Sequence, residues 1–175
     1  PNKASDTALS SIALSDTLSL MDERLLITVG LRHQSARVQN YNTTTGAPLN
    51  YYNKNAISPL AGIVFKPVDN VSLYGNYTAG LTRGVIVPTG QNYLNQDQPL
   101  APFKSEQYEA GVKVDWGTIT TTAAIYELKR PSAQSDGATP PTYGYFGEQR
   151  NRGLELSAYG ELQRGLRGMA SVAFV

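Results

Sequence analysis

"VSLYGNYTAGL", Val71 to Leu81, alternates residue by residue: Val71, Leu73, Gly75, Tyr77, Ala79 and Leu81 fall on one side of an extended chain, and Ser72, Tyr74, Asn76, Thr78 and Gly80 on the other. A period of two is the signature of a β-strand with unlike faces. Neither face resembles half of a close-packed interior. Glycine and alanine lie among the larger apolar groups and would leave gaps in a core packed at crystal-like density. What touches the apolar face is therefore the question that decides the fold.

The same alternation recurs along the chain, and helical periodicity is not sustained anywhere. Eight strands are predicted, at 11–20, 24–38, 57–66, 71–82, 105–115, 118–129, 152–162 and 166–175. They are joined alternately by short turns ("MDE", "PVDN", "WG", "QRG") and by long connections at 39–56, 83–104 and 130–151. Because an up-and-down sheet reverses direction at each strand, this parity gathers every short turn at one end and every long connection at the other. The fold class is all-β, an antiparallel up-and-down meander of about eight strands with two unlike ends.

The faces agree across strands. Tyr108, Ala110, Val112, Val114 and Trp116 oppose Gln107, Glu109, Gly111, Lys113 and Asp115, while Leu154, Leu156, Ala158, Gly160 and Leu162 oppose Glu155, Ser157, Tyr159 and Glu161. Tight turns at one rim, long loops at the other, a lipid-facing apolar side and a watery lumen are the attributes of an outer-membrane barrel. Trp116, at a tight turn after an apolar face, suits an interfacial girdle. Alternation by itself also fits a sandwich with one solvated face. The alternative is therefore a soluble β-sandwich carbohydrate-binding module whose tyrosine-rich loops stack on sugars.

Composition narrows the function. Charged residues make up only 17% and hydrophobic ones only 41%, the balance being the polar and turn-forming residues of β-structure. Fifteen basic against fourteen acidic side chains give a formal charge of +1, so no global field favours nucleic acid. With no cysteine and one histidine, His33, thiolate and most zinc or triad chemistries are excluded. No catalytic residue, resident metal or cofactor is expected, and the chain is not read as an enzyme. No apolar run is long enough for a membrane-spanning helix, a criterion silent on barrels.

At "NYTAGLTRG", "APFKSEQYEAGVKVDW" and "NRGLELSAYGEL" the chain resembles the TonB-dependent siderophore receptors of the bacterial outer membrane. The matching positions are Asn76, Tyr77 and Thr78, then Lys104, Glu106, Tyr108, Glu109, Gly111 and Lys113, then Ala124 to Arg130, then Arg152, Gly153, Leu154 and Glu155. The resemblance extends from about Asp16 to Val175. It implies a segment of a transmembrane barrel of roughly 22 strands, so that residues 1–175 form a partial receptor barrel domain with the plug domain and terminal strands absent. Cut from such a barrel, the piece is expected to be an open sheet. The resemblance further implies a Gram-negative outer-membrane location, import of a ferric siderophore, contact with outer-membrane lipid, and energy from the TonB complex through other parts of the parent.

A ferric siderophore brings its own oxygen ligands, so its receptor needs aromatic faces for the chelate's bulk and Arg or Tyr donors for its oxygens. The three long connections hold both. Tyr41, Tyr51 and Tyr52 lie in the first, Arg83 and Tyr93 in the second, and Tyr143, Tyr145, Phe146 and Arg150 in the third. The segment "TYGYFGEQR" is the preferred contact, its aromatics spaced by glycines that allow close backbone approach.

Overall fold

Alternation of this kind leaves each strand two edges to satisfy and two faces to cover, and the structure shows how both are met. The computed structural model describes residues 3–82 and 84–175, with the backbone alone for Asn50. Eight strands follow in chain order: β1 (Ser5–Leu20), β2 (Leu25–Tyr41), β3 (Pro48–Val68), β4 (Val71–Thr82), β5 (Phe103–Asp115), β6 (Ile119–Ser135), β7 (Tyr143–Gln163) and β8 (Leu166–Phe174). They form one sheet in that same order, each antiparallel to the next. β8 does not pair with β1, so the sheet is open. Among the described residues no helix or second sheet lies against it, and the two-layer sandwich is not formed.

Cross-strand partners share a face, so the register turns eight separate alternations into continuous rows. One row reads Leu20, Leu25, Phe65, Leu73, Val112, Ala123, Leu156, Val172. The next reads Leu18, Ile27, Ile63, Gly75, Ala110, Ile125, Leu154, Phe174. Both are apolar from one edge of the sheet to the other. This face is uncovered: Leu14 is 81% exposed, Ile125 62% and Phe174 58%. Asp16 is the exception on β1, sitting between Leu14 and Leu18 with one carboxylate oxygen accepting from the Thr17 N–H at 2.9 Å.

The band is oblique to the rows. Its upper edge is Ile12 on β1, in a row with His33 and Ile57, but Leu154 on β7, in the row that starts at Leu18. Its lower edge drops likewise, from Leu20 on β1 to Leu162 on β7, beyond the Leu156 of Leu20's own row. Six residues of strand at about 3.3 Å each, over six strand spacings of about 4.8 Å, make a slope of roughly 35°. An apolar belt that is level in space therefore requires strands tilted by about that angle.

The short connections match the sequence reading: 21–24, 69–70, 116–118 and 164–165 all close at one end. The other end differs. The predicted long connections at 39–56 and 130–151 are mostly strand, leaving only 42–47 and 136–142 as turns, whereas 84–102 remains a long loop. Alternation fades above the apolar band because both faces there are wet, yet the ladder continues, with Gln39 opposite Tyr51 and Arg130 opposite Gln149. Tyrosine, threonine and phenylalanine in these stretches favour the pleated backbone on their own.

The prolines fit this arrangement. Pro59 lies just past Leu60↔Thr78, where β3 loses its β4 partner, and Pro131 just past Glu106↔Lys129, where β6 loses β5. A residue without an N–H is tolerated where one side of the strand has no ladder to complete.

On the polar face, tyrosines lie across glycines. Tyr74 pairs with Gly111 and Tyr126 with Gly153. A Cβ at Gly111 would stand 2.6 Å from the Tyr74 ring, whose hydroxyl donates to Glu109 at 2.9 Å. Gly111→Val is expected to displace that ring and cost about 1–3 kcal/mol, read as a lowered midpoint of denaturation. Gly80→Ala, whose Cβ meets nothing within 4 Å, is the matched substitution expected to leave the midpoint within experimental error.

Candidate functional site

At the end of the sheet carrying the long loop, that loop gathers five aromatic side chains from distant parts of the sequence through two contacts. Loop 84–102 starts from β4, runs over the polar face of β2 and β3, and docks on the β6–β7 hairpin before entering β5. Its first contact is with the β2–β3 hairpin: the Gly84 N–H donates to the Tyr52 hydroxyl at 3.2 Å. Tyr52 lies opposite Val38, and Tyr52, Val38 and the loop's Val87 are all buried. Gly84 is required there, since a Cβ would meet the Leu100 carbonyl oxygen at 2.0 Å.

The second contact is with β7. Asn95 exchanges a reciprocal pair of hydrogen bonds with Tyr143, its amide donating to the Tyr143 carbonyl at 2.8 Å and its carbonyl accepting from the Tyr143 N–H at 3.1 Å. The Leu94 N–H donates to the Pro141 carbonyl at 3.0 Å. Tyr93 and Tyr143 stack with ring centroids 5.1 Å apart, and Phe103 meets Tyr145 edge-on at 5.2 Å. The Tyr145 hydroxyl donates to the Ala101 carbonyl at 3.0 Å. Together these form an aromatic wall with hydroxyls and amides at intervals, suited to holding the apolar body and polar rim of one organic ligand.

At the tip of the same hairpin, Asp136 closes the turn by accepting from the Ala138 and Thr142 N–H groups at 3.0 and 2.9 Å. The Thr142 bond, with the Ala138 bond second, holds its carboxyl below the usual range. That contribution is present above the ordinary carboxylate pKa and is lost as pH falls through the lowered one.

Of the nine residues singled out from sequence, Tyr52, Tyr93, Tyr143 and Tyr145 are held by this loop. They arrive there from three elements, and only Tyr93 is on a loop. Tyr41 ends β2 with the Lys3 Nζ 5.9 Å above its ring. Tyr51 and Phe146 are each 54% exposed and stand apart from the wall. Arg150 is committed to Glu148 at 2.8 Å, in the charged rows above the apolar band. Arg83 lies outside the described residues. Sequence reading overlooked Asn95 and Phe103. It also overlooked Arg32, which parity with Thr28, Gly30 and Gln34 places on the polar face.

On the apolar face, the band ends at a polar boundary of its own. Tyr77 and Tyr108 lie 5.0 Å apart, and both hydroxyls donate upward to the Glu106 carboxylate, at 3.2 and 3.3 Å. Beside Tyr108, its cross-strand partner Glu127 pairs with both Lys129 and Arg152. At the opposite rim Trp116 is 66% exposed, its indole N–H donating to Thr121 at 3.0 Å. Aromatic rings thus edge the band at top and bottom.

Comparison with known proteins places this architecture. The family model described as "TonB dependent receptor-like, beta-barrel" matches residues 1–174. The ferrichrome receptor FcuA of Yersinia enterocolitica is 35% identical over 178 residues, covering 100% of this chain and 23% of that protein. PiuA of Acinetobacter baumannii, a probable TonB-dependent siderophore receptor, is 29% identical over 161 residues, covering 87% of this chain and 21% of its own. Among solved structures, BauA, the ferric preacinetobactin receptor of Acinetobacter baumannii, superposes with a TM-score of 0.81 at 34% identity, covering 97% of this chain and 25% of that one. The chain thus spans under a quarter of the length of these two sequence relatives. With all but its final residue matched by that family model, the chain belongs to the TonB dependent receptor-like β-barrel family.

Proposed function

We propose that the chain is part of the wall of an outer-membrane receptor of a Gram-negative bacterium that binds a ferric siderophore and imports it with TonB-coupled energy. The observation that carries this reading is the oblique apolar band. Its slope of roughly 35° meets the strand tilt of about 35–45° in outer-membrane barrels. A band so tilted becomes a level hydrocarbon belt once the strands lean in a bilayer. The uncovered Leu, Ile, Val and Phe side chains then face lipid instead of water, where a patch of this extent would drive association.

In that orientation the Tyr77–Tyr108 pair lies at the outer interface and Trp116 at the inner one, each with a polar end toward water. The polar face lines the lumen. Loop 84–102 and the aromatic wall stand at the outer mouth, where an arriving chelate meets them first. Ferrichrome and ferric preacinetobactin, named for two of the relatives, are iron chelates that bring their own metal ligands. Iron is therefore cargo inside an organic shell, and rings with hydroxyl and amide donors are suited to that shell.

Several parts of this reading can be measured. In an iron-starved host lacking its own siderophores and receptors, the whole receptor should restore growth on at least one ferric siderophore from a panel of hydroxamates and catecholates. It should do so only when TonB is present; equal growth without TonB, or none on any chelate, would overturn the reading. Ala123→Arg, in the middle of the band, should cost about 2–4 kcal/mol in folding into bilayers, against about 0–1 kcal/mol for Asn55→Arg above the belt; equal costs would deny the lipid face. Combining Tyr93→Ala with Tyr143→Ala should weaken chelate binding about 10-fold, since ring contacts are each worth about 0.5–1.5 kcal/mol, as measured by fluorescence quenching.

A further inference from the structure

The polar face is electrically divided. On β5 to β7 it carries four carboxylates, Glu109, Asp115, Glu155 and Glu161, against two cations, Lys113 and Arg130. On β1 to β3 the same face carries Arg32 and Lys54 and no carboxylate, since Asp6 and Asp16 both fall on the other side of β1. Arg32 forms no ion pair among the described residues. One of its guanidinium nitrogens, Nη2, donates to the Ser11 hydroxyl at 2.9 Å.

Arg32 lines a cavity of about 290 Å³ between β1–β3 and the stem of the long loop, with Ser11, Gln34, Tyr52, Leu81 and Pro102 among its walls. The polar walls are rich in donors. The Tyr52 hydroxyl already accepts from Gly84, which leaves its own proton to give. No carboxylate lines the cavity, so a cation without an ion pair stands beside hydroxyl and amide donors in a wall suited to an anionic acceptor.

We propose that Arg32, with Gln34 and Tyr52, is the subsite for a carboxylate carried on an arm of the imported chelate. This rests on the siderophore-receptor reading and deepens it by naming a ligand chemistry. At about 290 Å³ the cavity is at the small end of the about 300–1,000 Å³ range for drug-sized molecules, so a bulkier ferric trihydroxamate can place only an arm in it. A carboxylate matches the guanidinium fork with two parallel hydrogen bonds, the geometry in which arginine is most selective. Leu81 and Pro102 provide an apolar wall for the methylenes leading to it.

The test uses the whole receptor in detergent and two linear ferric trihydroxamates that differ only at one terminus, a free carboxylate or its N-methyl amide. The acid form should bind about 10- to 100-fold more tightly, as expected for charge-assisted pairing, and raised salt should reduce the difference. Arg32→Gln should abolish the preference of the acid over the amide form, and Arg32→Lys should keep part of it. Equal binding of the two forms by the unmodified receptor, binding of neither, or a preference that persists in Arg32→Gln overturns the subsite. The growth panel separates the two levels: a receptor that passes it without an Arg32-dependent acid preference loses the subsite alone, and one that fails it loses both.

Discussion

From β2 to β7 every strand has a neighbour on each edge, so its backbone donors and acceptors within the ladders are used up inside the sheet. The side chains are then left with two faces and nothing else. That constraint generates the remaining features: a period of two along each strand, shared faces across each pair, and continuous rows from β1 to β8. It is also what a bilayer interior demands, since a peptide group in hydrocarbon has no water to bond and only helices and laterally paired strands satisfy it. Outside lipid, the same sheet would present an uncovered apolar side.

Where the paired strands rise past the apolar band, the constraint relaxes on one side. β3 keeps β2 but loses β4 beyond Leu60, and β6 keeps β7 but loses β5 beyond Lys129. The β2–β3 hairpin therefore rises with β1 still paired along it, as a three-stranded flap, while the β6–β7 hairpin projects as a two-stranded ribbon, a marginal structure alone. Loop 84–102 lies between them and is bonded to both, through Gly84 with Tyr52 and through Asn95 with Tyr143. The aromatic wall is thus a by-product of tying two projecting parts of the sheet together with one loop, and its residues come from elements far apart in sequence.

Alternation reports contrast between environments, and it was legible wherever the environments differ. β4 falls on the predicted 71–82, and the turn ends of the other strands agree to within about two residues, the ordinary scatter of such boundaries. The upper ends were not legible, because at Tyr51, Tyr52 and Tyr143 to Arg150 both faces are polar and no contrast marks a strand. Those residues read as loop and are ladder. The clustering of Tyr93 with Tyr143, and of Tyr145 with Phe103, was equally out of reach, since no local pattern says where a loop of this length will dock.

The sequence by itself determined the class of sheet, the identity of its apolar and polar faces and the segregation of tight turns to one rim, because each of these follows from a period of two and the order of connections. Tertiary structure decided the rest. Register set which residues stand side by side, and so made the apolar band oblique and left Arg32 without an acidic neighbour. Loop docking chose four of the nine candidate residues for a shared wall or its anchor and left Tyr41, Tyr51, Phe146 and Arg150 elsewhere. Register and docking are long-range pairings, fixed by many weak contacts summed over distant segments, and no short stretch of chain carries that sum.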